Sequence, residues 1–201
     1  MESYIKLSTL NDFIFCPKSI YYHEVYDSYN PNLYHETAQK EWKIAHESID
    51  NKKYSTHKWV LQSLDVYSQH YWIHGKIDLF YVHQWKLVER KNKIHTDENW
   101  KPRIYIWYKY QLRWQMFCLE EMWYRVDSIW LYSLKDNKKY RVYKPSDMQL
   151  FQFINMLKKY KKFDVLKDWW TQNNKKCMKC IYRELCDYFI GDVCPQLQLF
   201  K

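Results

Sequence analysis

Residues 71–91 constrain this chain most, because they carry the two-residue alternation that a pair of extended strands requires. From Tyr71 to Val82 one face reads Ile73, Gly75, Ile77, Leu79 and Tyr81, and the other reads His74, Lys76, Asp78, Phe80 and Val82. His83-Gln84 predicts a turn, and Trp85 to Lys91 the return strand, with Leu87, Glu89 and Lys91 on one face. Helical patterns surround this hairpin. One runs from Leu33 to Asp50 with Trp42, Ile44, Ala45, His46 and Ile49, and the principal one from Ile104 to Tyr124. Ser8, Asn11 and Asp12 open a short helix through Phe15 that is interrupted at Cys16-Pro17. Ser128 to Leu134 and Lys138 to Lys144 read as a second hairpin. Ser146 and Gln149 form a capping-box pattern that starts a helix reaching Lys162. The expected fold class is α/β (α+β), a mixed sheet flanked by helices.

At 201 residues the chain suits a single domain, and 47% hydrophobic with 27% charged residues is a globular composition. Met1 to Leu10 lacks a signal-peptide pattern and no window is apolar enough for a membrane span, so the expected location is cytoplasmic, with no membrane partner. With only Gly75 and Gly191, neither a Walker A loop nor a dinucleotide-binding glycine fingerprint can be written. ATP and NAD chemistry by those routes is excluded. The net charge of +9 favours a polyanionic partner, and the 20% aromatic content supplies rings for unpaired bases, although most of these pack in the core.

Asp78 and the Glu89-Arg90-Lys91 triplet stand eleven positions apart on the two strands of the hairpin. Glu89 and Lys91, at i and i+2, point the same way, and a suitable register or twist brings Asp78 alongside. Two carboxylates then share a hard divalent cation such as Mg or Mn, which acidifies a water and neutralises phosphoryl charge. Lys91 adds positive charge and holds or helps deprotonate the water. His46 and the Arg90 carbonyl are further candidate ligands, and the imidazole favours Mn over Ca. Taken alone, an E-x-K triplet more often marks a solvated strand face.

The polar, lysine-rich tail from Asn173 carries Cys177-x2-Cys180-x5-Cys186, closely spaced thiols that in a reducing compartment bind metal more often than they form disulfides. The fourth ligand is to be found among Cys16, Cys118 and Cys194, with Cys118 set in an apolar helix. Spacing leaves zinc and an iron-sulfur cluster level.

These residues together resemble the CRISPR-associated exonucleases of the RecB-like superfamily, usually numbered fourth among the Cas proteins. "LNDFIFCPKSIYY" at Leu10 to Tyr22 is similar to the family's amino-terminal segment with its cluster cysteine, and "IAHESI" to its metal-binding histidine motif. "GKIDLF" and "LVERKNK" resemble the strands with Asp78, Glu89 and Lys91, and "QLRWQMFCLEEM" the helix with Gln111 and Gln115 at i and i+4. The resemblance implies a PD-(D/E)xK, restriction-endonuclease-like core over 25–165. It implies an iron-sulfur module of 8–24 plus 170–195, with Cys16, Cys177, Cys180 and Cys186 holding a 4Fe-4S cluster. Catalytic residues would be Asp78, Glu89, Lys91 and Gln111, with His46, Asp78, Glu89 and Arg90 at Mn or Mg. The implied activity is 5′ to 3′ cleavage of single-stranded DNA or single-stranded overhangs, with endonuclease activity in some members. The implied role is trimming prespacers with the CRISPR integrase and its small partner subunit. The competing expectation is a basic iron-sulfur or zinc subunit that binds DNA and docks on the integrase complex without cutting.

Overall fold

The computed structural model describes residues 4–26, 44, 46–99, 101–165, 167, 168, 177, 178, 180 and 182–187. Trp42, Ala45 and Cys194, with most of the predicted 33–50 helix and of the tail, lie outside the described residues. In chain order the elements are β1 (Ile5–Lys6), α1 (Leu7–Phe15), α2 (Pro17–Tyr26), a helical stretch at 46–50 (α3), β2 (Val60–Ser68) and β3 (Ile73–Tyr81). Then come β4 (Lys86–Lys91), α4 (Ile106–Glu121), β5 (Ser128–Ser133), β6 (Lys138–Val142) and α5 (Asp147–Lys162). The result is a mixed six-stranded sheet with helices against it.

Local chemistry explains several boundaries. Cys16 is extended (φ −159°) between α1 and α2, and Pro17 opens α2 at a position that needs no N–H donor. The Ser146 and Gln149 side chains and backbones form the reciprocal capping box of α5. The chain turns without glycine at most corners. After α4, Trp123 adopts φ 67°, and Trp123 and Tyr124 donate to Glu120 and Leu119 carbonyls in a Schellman arrangement.

The centre of the sheet is β3, and its two edges are used differently. β2 pairs along one edge from Val60↔Tyr81 to Ser68↔Ile73. The other edge is divided: β1 pairs in parallel with Ile73 and His74, and β4 pairs antiparallel from Leu79↔Val88 to Tyr81↔Lys86. Between them, residues 75–78 have no strand partner on that side. β4 continues into a parallel pairing with β5, which pairs antiparallel with β6.

The expected alternation along β3 changes phase at Asp78. Ile73, Ile77 and Phe80 all enter the main core with Leu87, Leu112 and Ile129, whereas Leu79 packs on the other sheet face with Ile49 and Val88. The β2–β3 register passes over the Ser63–Asp78 position, where Ser63 takes φ 49° and its hydroxyl donates to Asp50 Oδ1 at 3.0 Å. Placing Asp78 on a continuous face with Phe80 is therefore corrected: a local distortion in both strands separates them. The same interruption explains why β2 had no clean sequence signature, since Leu61, Leu64 and Val66 reach the main core from both parities.

α1 is seated on β3 by a close approach. A Cβ at Gly75 would stand 2.5, 2.8 and 2.9 Å from Cδ1, Cγ and Cβ of buried Leu7. Replacing Gly75 with Ala is expected to cost about 1–3 kcal/mol in urea unfolding. Adding Leu7→Ala to that variant should cost less than Leu7→Ala alone in the parent, and strict additivity would contradict the contact.

Candidate active site

The partnerless stretch of β3 is filled by side chains. Asp78 Oδ2 accepts the backbone N–H of Arg90 at 2.7 Å, a bond made where β4 has already left the ladder. Gln115 Nε2, from α4, donates to the Lys76 carbonyl at 3.1 Å. An aspartate and a glutamine thus satisfy backbone groups that a strand would otherwise occupy. His46 Nε2 lies 3.3 Å from the same Asp78 oxygen, and both side chains are largely buried.

Glu89 is the focus of α4. Its Oε1 accepts from Lys91 Nζ at 2.9 Å and from Gln111 Nε2 at 2.6 Å, and its Oε2 from Gln115 Nε2 at 2.9 Å. Gln111 Oε1 in turn accepts from Lys91 at 3.0 Å and from Asn11 of α1 at 3.4 Å. Lys91 also lies 4.9 Å from the centre of the Tyr108 ring. Burial, then the nearby Asp78 carboxylate, push Glu89 above the ordinary range against the pull of Lys91 and Gln115. Burial would lower the Lys91 ammonium, but the Glu89 charge and hydrogen bond, with Asp78 and Tyr108, carry it upward overall. Lys91 is therefore held as a cation.

The structure thus brings His46, Asp78, Glu89, Lys91 and Gln111 into one region. Arg90 contributes its N–H, while its side chain turns to the opposite face, 4.8 Å from the centre of the Tyr54 ring. Asn11 and Tyr108 were not anticipated as neighbours of this site. Asn11 lies in the quoted amino-terminal segment, but its proximity to Gln111 depends on packing across the fold. As a donor set, one imidazole and two carboxylates suit Mn or Mg in kind. Their disposition is less complete: among the described residues no three His, Cys, Asp or Glu side chains are arranged to hold a metal ion. Both Glu89 oxygens are engaged by donors from β4 and α4.

The thiols of Cys16 and Cys180 lie near those of Cys177 and Cys186. Burial raises Cys16 and Cys180, backbone hydrogen bonds from Lys18 and Ser19 to Cys16 and from Tyr182 to Cys180 oppose it, and neighbouring thiols add smaller upward effects: Cys177 and Cys186 on Cys16, and all three others on Cys180. Cys118 is apart from them in the main core, pushed up to about 12, chiefly by burial. Aromatics tie the two cysteine-bearing segments. Tyr22 stacks on Tyr182 at 5.5 Å, and the Tyr182 hydroxyl lies 2.6 Å from Nδ1 of His23, whose Nε2 is 3.5 Å from Asp12. In kind, four thiols suit a soft metal, but like the His and carboxylate groups they are not arranged as a metal-holding set among the described residues.

No protein-family model matches this chain, and no curated protein matches it in sequence. Among solved structures, the crystal structure of SSO0001 is similar, with a TM-score of 0.60 and 14% identity over 95% of this chain and 89% of that one. At that identity the likeness is one of fold. Among the described residues no helix is long and apolar enough to cross a membrane.

The Gln115 amide serves both the open β3 edge and Glu89. Gln115→Leu is expected to lower unfolding free energy by about 1–3 kcal/mol, because a buried carboxylate oxygen and a backbone carbonyl each lose a donor. Chemical denaturation measures this, and an unchanged midpoint would refute the dual role.

Proposed function

We propose that the chain is a metal-dependent deoxyribonuclease of the PD-(D/E)xK type, belonging to the RecB-like, CRISPR-associated exonucleases. The observation that carries this reading is the buried His46–Asp78 pair beside the Glu89–Lys91–Gln111 cluster, at the point where β4 departs from β3. His46, Asp78 and Glu89, with the Arg90 carbonyl, are the residues that would hold Mn or Mg, whose chemistry is phosphoryl charge stabilisation and a more acidic water. Lys91 supplies a fixed positive charge for the developing phosphoryl charge, and Gln111 orients it. The +9 net charge supports a nucleic-acid substrate. On this reading the substrate is single-stranded DNA or an overhang cut 5′ to 3′, and the biological task is prespacer processing with the CRISPR integrase and its small partner.

Cys16, Cys177, Cys180 and Cys186 would hold a 4Fe-4S cluster that clasps the amino-terminal helices to the tail. The neighbouring thiols that help to raise Cys16 and Cys180 support this ligand set by their proximity. A DNA-binding subunit that docks without cutting is the second reading, favoured by the engagement of both Glu89 oxygens with protein donors.

The decisive assay uses single- and double-stranded DNA labelled at both ends, with Mn or Mg. Asp78→Asn and Lys91→Ala are each expected to slow cutting by about 100-fold or more. Cleavage that survives Lys91→Ala, or wild-type protein inert in both metals, overturns the nuclease reading. For the thiol centre, anaerobically purified protein should show a broad visible absorption band that Cys16→Ser abolishes and Cys194→Ser retains. A colourless preparation containing zinc would replace the cluster with a zinc site.

A further inference from the structure

A concentration of positive charge lies across α4 from Glu89. Arg113 is two residues from both Gln111 and Gln115, so its side chain leaves the helix on the opposite side, about one helix diameter (~10 Å) away. There Lys109, Arg113, Arg141, Val142, Tyr143 and Gln149 line a cavity of about 300 Å³, with no carboxylate among its lining residues. Arg113 is 5% exposed. Its Nη2 donates to Gln149 Oε1 at 2.8 Å, while its buried Nε has no hydrogen-bond partner among the described residues. A guanidinium so deeply buried ordinarily meets a carboxylate, because a buried charge without a counter-charge is costly. Here its neighbours in the cavity are two more cations, and none of the three is ion-paired among the described residues.

The missing component is an anion. Gln149 stands in the first turn of the 16-residue helix α5, where Asp147 and the Ser146 capping box already serve the helix end, so the cationic side chains carry the case for an anion. A phosphate suits a cavity lined by three cations better than a carboxylate does, since its oxygens accept from several directions and match the arginine fork. Tyr143, 73% exposed at the cavity rim with Arg141 5.7 Å from its ring centre, offers a face on which a base stacks.

We propose that this cavity holds a backbone phosphate of a DNA strand through Lys109, Arg113 and Arg141, as a substrate-positioning site separate from the Glu89 centre. This rests on the reading that DNA is the substrate.

The test measures binding of a fluorescein-labelled 20-nucleotide oligo-dT to the full chain by anisotropy, without added divalent metal, from 50 to 300 mM KCl. Relative to wild type, Lys109→Gln/Arg141→Gln is expected to bind about tenfold more weakly at 100 mM salt and to lower the log–log salt slope by about 1.4, or ~0.7 per lost contact. Lys52→Gln/Lys53→Gln removes the same charge from exposed positions elsewhere and should leave the slope near wild type. Wild-type affinity in the Lys109/Arg141 variant, or an equal loss in the Lys52/Lys53 variant, overturns the proposal. Inorganic phosphate is the second probe, read by thermal shift. If the Lys109/Arg141 variant loses the phosphate response but binds oligo-dT as wild type does, the cavity takes a free phosphate and the DNA-strand assignment is overturned. If wild type cuts no DNA in Mn or Mg yet the oligo-dT result is as expected, the nuclease reading fails and this site stands.

Discussion

The incomplete edge of β3 is the constraint on which the site depends. A central strand normally satisfies its backbone on both sides, but β1 leaves after His74 and β4 begins to pair only at Leu79. Polar groups in and beside the interval find side-chain partners instead of a strand. Asp78 and Gln115 provide them, and in doing so both side chains are fixed in position. The same distortion that takes Asp78 out of the strand's alternation directs it to His46 and Arg90. The local departure from sheet geometry and the concentration of polar groups are thus one feature seen from two directions.

Glu89 extends that logic into α4. A carboxylate in this position is tolerable only with several donors, and Lys91, Gln111 and Gln115 supply them from the same strand and from one face of one helix. Gln111 also accepts from Asn11, so the cluster is joined to α1, the helix that ends beside Cys16. Asp12, on that helix, approaches His23, which contacts Tyr182 between Cys180 and Cys186. The thiol region and the carboxylate region therefore share α1 as a common support.

What was legible in the sequence follows from the range of the interactions involved. The β3–β4 pair, α4, the β5–β6 pair and the capping box of α5 are specified by periodicity or by residues a few positions apart. The shared face of Glu89 and Lys91, and the i, i+4 relation of Gln111 and Gln115, were readable for the same reason. β1 is two residues long and β2 changes phase at Ser63, so neither presents a periodic signal. The step at Asp78 was also hidden, because it depends on the partner strand rather than on neighbours in sequence. Asn11 and Tyr108 join the site through tertiary packing, which no spacing rule reports. Arg113 read as part of a helix, and its burial next to two other cations emerged only with β6 and α5 in place.

The contact between Leu7 and Gly75 has a mechanical consequence. Because the leucine side chain occupies the space that any other residue's Cβ would need, α1 cannot slide gradually along β3 while keeping its packing. It is either docked in that notch or displaced from it, and close-packed interfaces favour such discrete arrangements over continuous deformation. Displacement would withdraw Asn11 from Gln111 and shift Cys16 in a single movement, making the two ends of the helix one cooperative unit.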